Sequence, residues 1–310
     1  MRLLLVGGAG EIGRYLAEYY LRLGYEVVIY DRAANPQMTR AGITLIKGEL
    51  ENKDLLQNIV PGCDVVVHLA WSFADTAAVL FRSDLGGHIN LLEVAATARV
   101  RHFIYASTAA VYGSPRTEPV TEDHPCLVQL ARKPLYALAK FTAEQLCHIY
   151  SAEKGLPVTI LRFWWAFGET IGGKHLRNIV RAAANNEPIQ LVPGSGGCFV
   201  TMEDLAEAIM LAVRNGTASS EVFNIGSLFL SWSEIAAMII AITGSRSPLV
   251  EVAGSEWSGP AFLQERWVLS WAKATHALGY HPRRTEAAMR DMLQQALVRC
   301  CREVTGTFNP

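Results

Sequence analysis

The sequence has no CxxC pair. Its six cysteines, Cys63, Cys126, Cys147, Cys198, Cys300 and Cys301, are scattered without metal-ligand spacing. That leaves out a zinc ribbon or a disulfide framework and is the pattern of free thiols in a reducing cytoplasm. No apolar run reaches the ~18 residues that cross a bilayer. The run at residues 3–6 stops at glycines instead of extending into a secretory core. A cytoplasmic protein with no membrane partner is therefore expected. Charge of one sign is also lacking. The formal net charge is -1, without a block of Lys or Arg, so no field favours nucleic acid. There is no GxSxG elbow for a serine nucleophile. No His, Asp or Glu cluster has metal spacing, and no repeat or low-complexity linker occurs.

What remains is a chain of 310 residues, 50% hydrophobic and 18% charged, long enough to bury a large core. Its first half alternates β-rich runs with helical patterns. Strands are predicted at residues 2–6, 26–30, 43–46, 64–69, 102–106 and 158–163, and helices at 11–23, about 75–98 and 135–154. Strands alternating with helices imply βαβ units and a parallel sheet. The apolar run at 64–69 suits a strand covered on both faces. After Gly168 the alternation weakens. The boundary is predicted there, giving a doubly wound α/β domain over 1–168 and a smaller α/β substrate domain over 169–310 that returns a strand to the main sheet.

Gly7, Gly10 and Gly13 stand between the first strand and first helix. That spacing serves a tight turn, close approach of backbone to a pyrophosphate, and packing of helix on strand. The N–H groups of the helix start, at Glu11 and Ile12, face the phosphates with the positive end of the dipole. Asp31 ends the second strand, where a carboxylate accepts bonds from ribose hydroxyls and repels a 2′-phosphate. Arg32 beside it would favour that phosphate. The balance predicts NAD over NADP on a Rossmann domain.

Tyr136 and Lys140 are four residues apart, on one helix face. A phenol with a pKa near 10 is a poor base at pH 7, and lowering it to about 7 takes roughly 4 kcal/mol. A cation some 4 Å away supplies about that much. Such a tyrosine exchanges a proton with a substrate hydroxyl during hydride transfer. A second pair, Tyr150 and Lys154, lies about 21 Å further along the same helix and reads as structural. Ser107 and Thr108, at the end of the fifth strand, sit where open α/β sheets bind ligands. Trp71, Phe73, Trp164, Trp165 and Phe167 crowd segments that should face the substrate; aromatic residues at strand ends are more often core than pocket, and in the pocket they would favour a substrate with an apolar or ring face.

Together these segments resemble the extended short-chain dehydrogenase/reductase family, the NAD-dependent epimerase/dehydratase group. The resemblance rests on the glycine loop, on Val66-Val67-His68-Leu69-Ala70 and Leu91-Leu92-Glu93, and on the stretch from Ala106 to Gly113. It continues through Tyr136 to Lys140, Leu161-Arg162, Glu203 to Ala206, Phe223 to Gly226 and Leu278-Gly279-Tyr280. It implies Thr108, Tyr136 and Lys140 as catalytic residues, with Lys140 lowering the tyrosine pKa and holding a ribose. It implies Glu49 and Leu50 at adenine, Leu69 and Ala70 beside the cofactor, and Ser107 and Thr108 toward a small-molecule substrate, with Trp71 and Trp165 of the aromatic group as further candidate substrate contacts. It also implies a homodimer through a four-helix bundle. Ala109-Ala110, which lack the acids of dehydratases and decarboxylases, point to an epimerase such as the UDP-galactose 4-epimerases, or to a dehydrogenase. The chain departs from the family at Trp165 (usually Asn), at Gly197 (usually a diphosphate-binding Arg), at Asp84 (usually Asn) and at His88 (usually Thr). These departures leave open a dehydrogenase or reductase of a non-nucleotide substrate.

Overall fold

The structure, a computed structural model, describes residues 1–35, 41–216, 220–260 and 263–306. Its centre is a seven-stranded parallel sheet. In chain order the first-half elements are β1 (Arg2–Val6), α1 (Glu11–Arg22), β2 (Glu26–Asp31), β3 (Ile43–Lys47), α2 (Lys53–Ile59), β4 (Val65–His68), α3 (Leu85–Ala98), β5 (His102–Ala106), α4 (Pro134–Lys154) and β6 (Val158–Arg162). The second half adds β7 (Trp165–Phe167), α5 (Lys174–Ala184), β8 (Ile189–Leu191), β9 (Gly196–Thr201), α6 (Met202–Asn215), β10 (Glu221–Asn224), β11 (Leu228–Ser231), α7 (Trp232–Thr243), β12 (Leu249–Glu251), β13 (Arg266–Trp267), α8 (Ala272–Leu278) and α9 (Glu286–Thr305).

The sheet order is β10-β6-β5-β4-β1-β2-β3. The order reverses between β1 and β4, which places a crevice at their carboxyl ends. Val6 pairs with Tyr30 on one side and His68 on the other. Alternate side chains of each strand feed two cores. Leu3, Leu5, Val27, Ile29, Val65 and Val67 pack under Leu16 and Tyr20 of α1 and Leu205 and Ile209 of α6. Leu4, Val6, Val28, Val66, Phe103 and Ile160 pack under Leu56, Leu91, Leu92 and Cys147 on the opposite face. Burying each such side chain stabilises the fold by about 1.5–3 kcal/mol, which explains strands that read as nearly continuous apolar runs.

Residues beyond 168 divide their work. β10 joins the main sheet beside β6, and α6 packs on α1. The elements α5, α7 and α9 pack with β8, β9 and β11 around a separate core that includes Trp232, Phe199 and Leu293. The expected helix over 75–98 is wound differently at its start. Val79–Asp84 forms a π-helical turn before α3, a widening that often occurs near functional sites. Among the described residues no helix is long and apolar enough to cross a membrane, and no group of His, Cys, Asp and Glu is placed to hold a metal ion.

Candidate active site

The glycine loop shows three separate reasons for glycine. Gly7 has φ +84, and an added Cβ would lie 2.5 Å from the Ala70 nitrogen. A Cβ on Gly13 would lie 2.4 Å from Gly8 Cα, so this glycine lets α1 approach the loop. Gly10 is different. Its backbone is extended (φ −69, ψ 170), and an added Cβ would meet nothing nearer than the Gly7 carbonyl at 3.4 Å. Its Cα faces open space at the amino end of α1, where no side chain caps the helix. Those first N–H groups, Glu11 and Ile12 among them, have no partner within the helix. A cradle with this opening fits a dinucleotide pyrophosphate.

Asp31 ends β2 and ties the loop in place. Its carboxylate accepts from Ala9 N at 3.0 Å and Ala33 N at 2.8 Å, while Arg32 next to it is exposed. Leu69 and Ala70 run past the loop with both amides on the Val6 carbonyl, at 2.8 and 2.9 Å. Beyond β3, Glu49 is exposed and its carbonyl accepts from the Tyr30 hydroxyl at 2.7 Å. Leu50 packs on Gly87, and its carbonyl accepts from Asn90 Nδ2 at 3.1 Å. The residues expected to hold the cofactor thus lie along one rim, at the carboxyl ends of β1 to β4.

The residues expected to react lie at the end of the next strand and on α4. Thr108 follows β5 and caps the short turn at Ala109–Tyr112, its Oγ1 accepting from Ala110 N at 3.2 Å. Tyr136, half-buried in the first turn of α4, has the Thr108 hydroxyl as a neighbour. Burial raises the phenol above its usual value of 10; the neighbouring Thr108 hydroxyl pulls it back and the Asp84 carboxylate adds to the rise. Lys140 is buried one turn on. Its ammonium donates to the Ala106 carbonyl at 2.6 Å and stands over the rings of Tyr105 and Trp71, at 4.3 and 4.4 Å. Burial pushes Lys140 down to about 7, while the carboxylates of Glu144 and Asp84 resist. The expected lowering of the phenol by Lys140 is therefore not what this arrangement produces. The ammonium is turned to a carbonyl and two aromatic faces, and desolvation governs the tyrosine.

Ser107 is not brought to the cleft. It is buried, and its hydroxyl donates to Glu144. Glu144, fully buried on α4, also accepts from Arg162 Nε at 3.0 Å and Nη2 at 2.6 Å. The guanidinium, charged well above its ordinary range through this pairing, lies 4.8 Å from the Tyr112 ring centroid. Breaking a buried pair like this from one side costs about 3–5 kcal/mol. Glu144 was missed by sequence reasoning, although Tyr136, Lys140 and Glu144 recur every four residues on one face. Asp84 was noted only as a departure, yet it accepts from Ser72 N at 3.1 Å and so fixes the segment carrying Trp71.

The chain leaving β6 passes beside Thr108, with Ala109 N donating to the Phe163 carbonyl at 2.9 Å. Trp164 and Trp165 follow and join Phe199 and Trp232 in one aromatic group, with centroids 5.2–5.9 Å from these partners. Glycines make this possible. A Cβ at Gly197 would lie 2.5 Å from the Trp164 ring, and one at Gly173 would lie 2.2 Å from Trp165. His68 is fully buried and stacked on His88 at 5.1 Å, a packing role beneath the site.

Residues 3–226 match the sequence profile of the NAD dependent epimerase/dehydratase family. A UDP-N-acetyl-alpha-D-glucosaminuronate decarboxylase of Bacillus cytotoxicus is 32% identical over 271 residues, covering 81% of this chain and 83% of that protein. A UDP-glucose 4-epimerase of Corynebacterium glutamicum is 28% identical over 324 residues, covering 96% and 94%. Among solved structures, the dTDP-glucose 4,6-dehydratase DesIV of Streptomyces venezuelae, crystallised with NAD, superposes with a TM-score of 0.81 at 25% identity, covering 99% of this chain and 98% of that one.

Proposed function

The chain belongs to the NAD-dependent epimerase/dehydratase family, and on that premise we propose that it is an epimerase or dehydrogenase working at a secondary alcohol or ketone carbon of a nucleotide sugar or related sugar. Its cofactor is NAD, which when bound accepts or returns the hydride. Gly7, Gly10, Gly13, the amide groups of Glu11 and Ile12, and Asp31 would hold it. Glu49, Leu50, Leu69 and Ala70 line the same rim.

The observation that carries the reading is buried Lys140, one turn from Tyr136 on α4 and tied through the Ala106 carbonyl to the strand end that Thr108 follows. Thr108 orients the reacting oxygen, and Tyr136 moves its proton. A phenol raised by burial keeps its proton at neutral pH, so Tyr136 stands ready as the acid toward a ketone oxygen. It becomes the base toward a carbinol when positive charge comes within reach of the phenol. Bound oxidised nicotinamide would bring that charge, and the contact of Lys140 with Ala106 ties the lysine to the strand that presents Thr108. Replacing Tyr136 with Phe removes the proton carrier. Activity should fall by about 10²–10⁴-fold while NAD binding persists; turnover unaltered in Tyr136→Phe would refute the assignment.

Relatives named for UDP-sugars support a nucleotide-sugar substrate. One observation favours a second reading, a dehydrogenase or reductase of a non-nucleotide, partly apolar substrate. Trp164 lies over Gly197 and Trp165 beside it, leaving an aromatic surface near the catalytic strand. A panel of UDP-, GDP- and dTDP-sugars and free sugars, scored for NADH and for epimer formation, separates the two. The oligomeric reading is a homodimer through α4, supported by exposed Leu135, Leu138 and Ile149 along its outer face. Six free cysteines support a reducing, cytoplasmic setting.

A further inference from the structure

Among the described residues Phe73 is the most exposed large apolar side chain, at 71%. It does not hang loosely. One face of its ring stacks on Tyr136, with centroids 5.3 Å apart and planes at 24°. The backbone on either side is tied down. Lys133 Nζ donates to the Phe73 carbonyl at 3.0 Å and pairs with Asp75 at 2.8 Å. Ser72 N donates to Asp84 at 3.1 Å. Lys133 is the residue from which α4 starts, so the segment carrying Phe73 is fastened to the helix that carries Tyr136. A large ring held in water at a fixed place forgoes the gain from burying it. Nothing in the described fold covers its outer side, and the ring beneath it is the proposed acid/base.

We propose that Phe73 is a specificity residue of the hydride-transfer site, its exposed edge packing against the C–H groups of a pyranose ring whose carbinol reaches the Tyr136 hydroxyl. The inference rests on the reading of Tyr136 as acid/base. A sugar ring offers apolar C–H groups that pack on an aromatic side chain without a charge partner, and the charges flanking Phe73 already pair with each other, Lys133 with Asp75.

The test compares the unaltered protein with Phe73→Ala and Phe73→Trp, using the panel sugar of highest kcat/KM. Phe73→Ala should raise KM by about three- to tenfold, change kcat less than KM, and leave the Kd for NAD unchanged. Phe73→Trp should restore KM. Because the side chain is exposed, both variants should fold, as circular dichroism would verify. An unchanged KM in Phe73→Ala overturns the inference. So does a Kd for NAD that weakens by the same factor, which would assign the ring to nicotinamide, or a halved solution mass, which would assign it to a partner subunit. If the unaltered protein turns over no panel sugar, the functional reading itself fails, and the inference with it.

Discussion

Gly10 and Gly13 lie three residues apart in one loop, and alanine at each should do a different kind of damage. At Gly13 the new methyl would lie 2.4 Å from Gly8 Cα and 2.8 Å from the Gly7 carbonyl, both backbone atoms. Ordinary contact needs about 1 Å more, so α1 must move away from the loop. Overpacking of this kind costs about 1–3 kcal/mol. The helix gains up to about 1 kcal/mol from replacing glycine, leaving a net loss of about 1–2 kcal/mol. The melting temperature of the cofactor-free protein should fall by about 2–6 °C. At Gly10 the nearest atom to the methyl is 3.4 Å away, and the backbone suits alanine. Stability should stay within about 1 kcal/mol of the parent. The methyl instead occupies the space through which phosphate approaches the α1 amides. Losing one charge-assisted hydrogen bond costs about 1.5–3 kcal/mol, which weakens NAD by about ten- to a hundredfold. Thermal unfolding and calorimetric titration with NAD read the two effects separately. Gly10→Ala binding NAD as tightly as the parent, at an unchanged melting temperature, would show that the pyrophosphate does not rest on α1.

Two further outcomes follow from burial. His68 and His88 are held neutral by burial beneath the site, His88 down to about 3, and His102 and His175 are each pushed down to about 4. An unfolded histidine titrates near 6.5. Below that pH the unfolded chain takes up protons that the folded chain refuses, so stability present above pH 6.5 is lost as pH falls toward 4, by about 1.4 kcal/mol per unit for each group. Urea unfolding at pH 7 and pH 5 should show the loss, with a smaller one in His88→Phe; equal stability at both pH values contradicts these burials. For the assembly, Leu138→Glu on the exposed face of α4 should halve the light-scattering mass from twice 34.0 kDa, whereas a parent already at 34.0 kDa removes the dimer.

Much of the fold could be read from the chain because its signals are local. Strand runs that are apolar throughout belong to a sheet covered on both faces, and the runs at 2–6, 26–30 and 102–106 coincide with β1, β2 and β5 to within a residue. Gly155, at φ +66, caps α4 at Lys154, where the helix predicted over 135–154 ends. The second half was less legible. Its strands are two to six residues long and too short for period-two alternation to declare itself, and β7, β9, β11 and β13 find partners across distant stretches of chain. Nothing in residues 79–84 distinguishes a π-helical turn from an α-helical one, since the apolar spacing differs by a fraction of a residue per turn.

The site divides along the same line. Gly7, Gly10, Gly13, Tyr136 and Lys140 stand out in the sequence because the role proposed for each needs one residue type at a fixed spacing. The direction in which Lys140 points does not, since it depends on Ala106, Tyr105 and Trp71 from two other strands' ends. The same holds for Ser107. From the sequence it is a hydroxyl beside Thr108 at a strand end, yet successive residues of an extended chain face opposite ways, and only the position of Glu144 reveals which of the two turns inward. One turn past Lys140, that carboxylate bonds both the strand end next to Thr108 and the guanidinium of Arg162, while its charge resists the loss of the lysine's proton. A single buried anion thus joins α4, β5 and β6 where they meet. The tyrosine–lysine spacing supplies the proposed reactive groups, and Glu144 fixes the strand end from which Thr108 follows.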